Sequence, residues 1–343
     1  MTWLRFAALA SALIYPILLL FAAAALHFVG ERWWVTTVAL YLPRIALAAP
    51  LPVVILGLLV CGRSRWLWTQ SVSAFLILFP LMGLVVPVPR LAGGKAPSVR
   101  VLSYNINSAL GGVSNVVAEI DRFSPDVVLL QEIAQGDELK RALRSRYPTV
   151  EVTGQFLAAT RFALVSTSDP ARLPFDGRER SPRFLEYVLD TPLDRIAIYS
   201  VHPISPREDF YVLRGRGLRR ELLSGHFFSG DAGPSILANA RLRALQVEAI
   251  AGAAAGNAEP VVIAGDTNLP DLSPVFSRHL SRFQDGFVKA GAGFGYTYPN
   301  DRRPWMRIDR ILATDALRFV KFEVGTSAAS DHLCVVADLQ RAR

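Results

Sequence analysis

A chain of 343 residues with a formal net charge of +8 can form one large domain or two ordinary ones, and its mean hydropathy of +0.30 points to more than a soluble domain. The first hundred residues hold eight Lys or Arg against one acid, leaving 29 against 28, so the later part lacks the basic footprint of a general nucleic-acid binder. Two distant cysteines, Cys61 in an apolar run and Cys334 in an expected core strand, exclude a disulfide framework and a cysteine zinc site.

Residues 6–26 carry no charge. As a helix they span about 30 Å, the thickness of a bilayer's hydrocarbon. A second apolar run follows Arg44 and a third covers about residues 69–88, each shorter or proline-interrupted, which predicts three transmembrane helices. Trp33, Trp34, Trp66 and Trp68 flank the runs, where indole rings suit the membrane interface. A cleaved signal peptide would explain the first run only, and that run is too long for one. The tight loop with Arg63 and Arg65 is purely basic and favours the cytoplasm. The expectation is an integral, multi-pass protein of a bacterial inner membrane, its large domain extracytoplasmic. Residues 89–98 mix Pro, Gly and basic residues and read as a linker. The domains are then 1–88 in the membrane and 99–343 as the catalytic part.

From Val101 onward, short apolar runs bounded by turn residues alternate with helical patterns. VRVLSYNI, DVVLLQE, FALVST, RIAIYSVHP, PVVIAGDTN, RIDRILAT and HLCVVADL read as strands, and 113–123 and 239–254 as helices. Strands interleaved with helices indicate an α/β domain. Strand after strand ends in Asn, Glu, His or Asp. Ends of this kind converge on one sheet edge, where carboxylates and amides can supply the several oxygen ligands that Mg²⁺ or Mn²⁺ requires.

The segments SYNIN, PDVVLLQE, SVHP, GDTN, RIDRIL and SDH, in this order, resemble the motifs of the endonuclease/exonuclease/phosphatase superfamily over about residues 98–341. Each is weak alone; six in order at expected strand ends are specific. The resemblance implies a four-layer α/β sandwich of two mixed sheets flanked by helices, and metal-dependent hydrolysis of a phosphoester. It implies that Glu132 and Asn107 bind Mg²⁺ or Mn²⁺, with Asp331 near the metal and Asn105 supporting the phosphate or metal shell. Asp266 would hold or deprotonate the attacking water, and Asn268 would bind a phosphate oxygen or position Asp266. His332, oriented by Asp309, would donate to the phosphate. His202 stands where apurinic endonucleases generally carry tyrosine, and would protonate the leaving oxygen. Gly265 would let the backbone approach a ligand closely. Blander roles remain open for the same residues: a helix-capping acid at Glu132, an Asx turn in GDTN, a structural pair at Asp309 and His332, a packed strand histidine at His202.

Tyr296, Thr297, Tyr298 and Trp305 precede Asp309 closely enough to line a cleft, though at least two suit core packing. Arg214 and Arg216 of RGRGLRR could grip a phosphate or an anionic head group, or form a solvated basic loop. The substrate is a phosphoester in a nucleic acid or a phospholipid head group, the membrane is a partner, and no feature calls for a protein partner. A catalytically retired, membrane-tethered binding or scaffold module is the rival, against which every expected motif is filled.

Overall fold

The computed structural model describes residues 2–87, 96–207, 210 and 232–342. Most of the expected 89–98 linker, together with Arg214 and Arg216, lies outside the described residues.

The strands are β1 (Val99–Asn105), β2 (Val127–Gln131), β3 (Thr149–Thr153), β4 (Phe156–Thr160), β5 (Ala163–Ser168), β6 (Leu173–Phe175), β7 (Arg178–Arg180), β8 (Phe184–Thr191), β9 (Asp194–Val201), β10 (Val261–Asp266), β11 (Gln284–Asp285), β12 (Asp309–Ala313), β13 (Leu317–Val324) and β14 (Val335–Arg341). They form a six-stranded sheet ordered β13-β14-β1-β2-β4-β3, a second ordered β11-β12-β10-β9-β8-β5, and a small β6-β7 ribbon. Both large sheets are mixed: β1 pairs parallel with β2 and antiparallel with β14, and β10 pairs parallel with β9 and antiparallel with β12.

Strand side chains alternate between faces, so each strand contributes to two cores. Val99 and Val101 of β1, Val127 and Leu129 of β2, Ile196 and Ile198 of β9, Val262 and Ala264 of β10, and Ile311 and Ala313 of β12 meet in one cluster between the sheets. The N-terminal helices are α1 (Thr2–Ala24), α2 (Trp34–Leu40), α3 (Pro50–Val60) and α4 (Leu67–Leu76), and the opposite face of the first sheet buries Leu102, Tyr104, Val128 and Leu130 against α5 (Val113–Phe123) and α6 (Gly136–Leu143). In α5, Val113, Val116, Val117 and Ile120 recur at helical spacing and are all buried. The second sheet turns Ala197, Tyr199, Val261 and Ile263 toward α7 (Ala232–Ala255) and α8 (Pro274–His279). Helix, sheet, sheet, helix is the four-layer arrangement that the sequence motifs imply.

The N-terminal region departs from three equal spans. Among the described residues, one helical stretch, Thr2–Arg32, is long and apolar enough to cross a membrane. The second apolar run is bent by 91° between Trp34–Leu40 and Arg44–Val60. Pro43 lies at the break, and a proline disfavours helix at the residue before it. The third run is helical only over Leu67–Leu81, about 22 Å at helical rise and short of a span. The described part of this region packs against the α/β domain. Tyr15, Leu19, Leu26, Leu40, Tyr41, Ile77 and Leu81 form one buried cluster with Met306 and Ile308 of the α/β domain.

That contact is pinned by charge. Arg307 and Arg310, two of the least exposed basic residues, each bond both Asp271 and Asp285, at 2.7 Å to both from Arg307 and at 2.9 and 2.8 Å from Arg310. Arg310 thus faces away from the strand-end cleft. Arg44 reaches in from the N-terminal region to donate to the Asp271 backbone oxygen, and also to the carbonyls of Leu40 and Leu81. Burial alone would raise the Asp271 carboxyl, but Arg307 and Arg310 overrule it and hold it down at about 2, from 3.8. A depressed carboxylate contributes stability that is present above its unfolded pKa and lost as pH falls through its folded one. Acid titration of the folded protein should therefore show a loss of about 2 kcal/mol between about pH 4 and pH 2 that is absent in Asp271→Asn. At neutral pH, Asp271→Asn should lose about 3–5 kcal/mol, because two buried guanidinium groups keep half their partners. Thermal unfolding of the full chain in detergent measures it, and an unchanged midpoint would refute the assignment.

Candidate active site

The strand pleat that builds the inter-sheet core also builds the cluster at its edge. Continuing each inward-facing series by two residues leads from Val101 to Ser103 and Asn105, from Leu129 to Gln131, from Ile198 to Ser200 and His202, and from Ala264 to Asp266. On the antiparallel β12 the series runs from Ile311 back to Asp309, which is the register partner of Asp266. Gln131 donates to the Ser103 hydroxyl at 3.2 Å and to the Ser200 hydroxyl at 3.5 Å, a polar layer between the aliphatic core and the site.

Asp266 is the centre. Its Oδ2 accepts from Asn105 Nδ2 at 3.1 Å and lies 3.7 Å from both His202 Nε2 and His332 Nε2. Its Oδ1 accepts from the Asn268 backbone N–H at 2.8 Å. Asn105 Nδ2 also donates to Glu132 Oε1 at 3.0 Å, and His202 Nε2 stands 3.4 Å from that same oxygen. His332 Nδ1 meets Asp309 Oδ2 at 2.9 Å. Ser330 locks the last loop to β1: its hydroxyl donates to the Asn105 carbonyl and accepts from the His332 N–H. Glu132 and Asn268 both adopt positive φ, 58° and 50°, so the turns that present them are held in a sparsely populated conformation.

Other expected residues sit apart from this centre. Asn107 has a positive φ of 44° and enters through its backbone, its N–H donating to Asn105 Oδ1 at 3.1 Å. Asn105, rather than Asn107, therefore stands between Glu132 and Asp266. Asp331 pairs with Arg207 at 3.2 Å toward the rim. Asn268 spends its amide Nδ2 on the Pro203 carbonyl at 2.9 Å, which suits positioning Asp266 more than reaching a phosphate. Gly265 serves the sheet: with φ at 154°, a Cβ there would meet the Val201 carbonyl oxygen at 1.9 Å. Of the aromatic residues, Tyr298 lies against His332, ring centroids 4.6 Å apart. Tyr296 and Trp305 instead turn to the N-terminal region, bonding the Met82 and Tyr41 carbonyls. Sequence motifs gave no sign of Gln155, whose Oε1 holds His202 Nδ1 at 2.7 Å. It sits in the β3–β4 turn, outside every motif, and only the fold brings it in.

Burial governs the electrostatics. Desolvation would lower the His332 imidazole, but Asp309 and then Asp266 overrule it and lift it to about 10. Desolvation raises Asp266 to about 7, with His332 opposing and Asp309 and Glu132 assisting. Burial, helped by Arg183 and His332, drives His202 down to about 3. At neutral pH the pair is split into a charged His332 and a neutral His202, which departs from the expectation that His202 supplies a proton. With Nδ1–H donated to Gln155, His202 Nε2 presents a lone pair. Among the described residues it has no hydrogen-bond partner, and neither has buried Asp309 Oδ1.

These orphaned atoms and the oxygen-rich donor set test the implied metal. Ligand atoms of Asp266, Asp309 and His332 lie within 4.8 Å of one another, but His332 Nδ1 is committed to Asp309, an acid–imidazole–acid chain rather than a cage. The Glu132 and Asp266 carboxylates, joined by the Asn105 amide N–H, form the oxygen-bearing side, which fits a hard divalent cation.

The profile described as the Endonuclease/Exonuclease/phosphatase family matches residues 102–332. Among solved structures, an endonuclease/exonuclease/phosphatase from Beutenbergia cavernae superposes with a TM-score of 0.50 at 19% identity, over 71% of this chain and 72% of that one. Truncated Caenorhabditis elegans TDP2 gives 0.50 at 19%, covering 71% and 97%. The human Nocturnin catalytic domain gives 0.50 at 18%, covering 72% and 96%. No curated protein matches the sequence.

If Asp266 is used ionised and His332 protonated, kcat/KM should rise through about pH 7 and fall through about pH 10. Asp309→Asn removes the first group that lifts His332 and should move the alkaline limb toward neutrality. An alkaline limb that stays in place in this variant would exclude Asp309 from that role.

Proposed function

Because the chain belongs to the endonuclease/exonuclease/phosphatase family, metal-dependent hydrolases of phosphoester bonds, we propose that it cleaves a phosphoester carried on a lipid or lipid head group at a membrane surface. The carrying observation is that the loop bearing Asp266 and Asn268 is bonded directly to the apolar N-terminal region. The Tyr41 hydroxyl donates to the Asn268 carbonyl at 2.7 Å, and Trp305 Nε1 donates to the Tyr41 carbonyl at 3.1 Å. With Thr2–Arg32 as a membrane anchor, an active site fastened to that region stands beside the bilayer, where a lipid phosphoester is concentrated and a nucleic acid is repelled by anionic head groups. The near-neutral composition after residue 100 agrees with this, because a nuclease gains affinity from a basic surface. Shallow helices such as Leu67–Leu81 would then lie against the same face, and the α/β part would sit outside the cytoplasm, as the basic Arg63–Arg65 loop favours.

In this reading Glu132 would hold Mg²⁺ or Mn²⁺, with Asp331 nearby, while Asn105 bridges Glu132 and Asp266 through Nδ2 and Asn107 braces Asn105 through its N–H. When bound, the cation neutralises charge on the phosphoryl oxygens and acidifies water. Asp266, with a pKa near 7 and fixed by the Asn268 N–H, accepts the proton of the attacking water. His332, kept charged by Asp309, donates to a phosphoryl oxygen as negative charge develops there. His202, neutral and oriented by Gln155, accepts a hydrogen bond from water or from a protonated substrate oxygen.

The test uses the full chain in detergent or vesicles, with Mg²⁺, Mn²⁺ or EDTA, on phospholipid vesicles, bis-p-nitrophenyl phosphate and plasmid DNA in parallel. Hydrolysis of vesicle lipid should require the metal and fall roughly 10²–10⁴-fold in Asp266→Asn and in His332→Ala. Metal-dependent DNA nicking without lipid turnover would make the protein a tethered nuclease. Wild-type turnover in both variants would remove these residues from the chemistry, and absence of metal binding by calorimetry would return weight to a retired module.

A further inference from the structure

We propose that the groove in which the anchor helix meets α7 and α8 binds the phosphate head group of an anionic membrane lipid, at a site separate from the active centre. This rests on reading Thr2–Arg32 as a membrane span. The groove encloses about 320 Å³, and Arg32, Arg241, Arg278 and His279 line it around a floor that includes Ala240 and Val275. Arg32 ends the anchor, Arg241 comes from α7, and Arg278 and His279 close α8. Three guanidinium groups from three elements face one acid, Glu31, which is bonded to the Ser273 hydroxyl. Arg32, Arg241 and Arg278 are exposed, and among the described residues none has a carboxylate partner. Unpaired guanidinium groups converging on a concave surface form a phosphate site, because each offers a planar fork of donors to phosphate oxygens.

The position of the groove selects a lipid over a free anion. It opens where the membrane-length helix Thr2–Arg32 ends, which in this reading is the depth of the head groups. One turn before Arg32, Phe28 and Val29 are exposed on the helix, an apolar track on which acyl chains can lie while the head group enters the groove. The site lies at the far end of the same short segment that leaves Asn268, since α8 begins at Pro274. An occupied groove would therefore hold the α/β domain against the bilayer close to its catalytic loop.

The full chain in dodecyl maltoside, titrated with phosphatidylglycerol and followed by thermal unfolding, should show saturable stabilisation. Arg241→Gln with Arg278→Gln keeps the long stems and should weaken that affinity about 30-fold, a few-fold for each charge near the head groups. Turnover of bis-p-nitrophenyl phosphate should be unchanged in the double variant, since neither residue is among the bonded or charged neighbours of Asp266. Equal affinity of wild type and variant for phosphatidylglycerol would overturn the site. So would equal stabilisation by phosphatidylcholine or phosphatidylethanolamine, or reproduction of the effect by inorganic phosphate. Carbonate extraction separates the two levels: release of the protein from membranes would sink the anchoring reading itself, whereas retention with loss of lipid selectivity would sink only the groove.

Discussion

Two carboxylates facing each other across adjacent strands, both nearly inaccessible to solvent, repel strongly unless a positive group stands between them. Asp266 and Asp309 are such a pair, and the His332 imidazolium is the group. The rest of the site follows from this arrangement. The β10–β12 register fixes the carboxylates, while the Ser330 hydroxyl, bonded to the Asn105 carbonyl, fixes the loop that carries the histidine. The same field lifts His332, and with burial raises Asp266 to about 7, so one constraint sets the protonation of both groups.

A second constraint is the placement of the N-terminal region. A tethered domain on a free spacer would show a polar rim beside its active site. Here Tyr41, Arg44 and Glu31 all reach the segment from Asn268 to Ser273, and the hydrophobic cluster runs without a break from Leu19 to Ile308. The Asp271, Asp285, Arg307 and Arg310 square lies under that junction, so the turn carrying the catalytic loop is braced on both sides. The candidate site and the apolar N-terminal region share one short segment.

Much of the fold was legible because its central strands are apolar throughout and end in distinctive polar residues. β1, β2, β9, β10, β12 and β14 fall where the apolar runs predicted, and α5 where its periodicity did. β3, β4, β8 and β13 left weaker signals. LRFVKFEV only roughly alternates apolar and polar residues and FLEYVLDT breaks its apolar run with Glu186, and neither carries a motif at its end. The apolar count overstated the membrane helices, since hydropathy measures transfer free energy and ignores both the break at Pro43 and the end of the third helix at Leu81, well before the apolar run ends.

The sequence by itself determined the inventory of the site: Asn105, Glu132, His202, Asp266, Asp309 and His332 all stand at ends of apolar runs, and a period of two sends the side chains of Asn105, His202, Asp266 and Asp309 into the gap between the sheets, while Glu132 and His332 are out of phase and enter from the loops after β2 and before β14. Tertiary structure alone decided which of them touch. Asn105 rather than Asn107 bridges the acids, because a positive φ at Asn107 turns the chain after β1 ends. His332 rather than His202 carries the charge, because only one of two similar imidazoles lies against Asp309. Gln155 and Tyr41 join through contacts 47 and 227 residues distant in sequence, and local pattern holds no information at such separations.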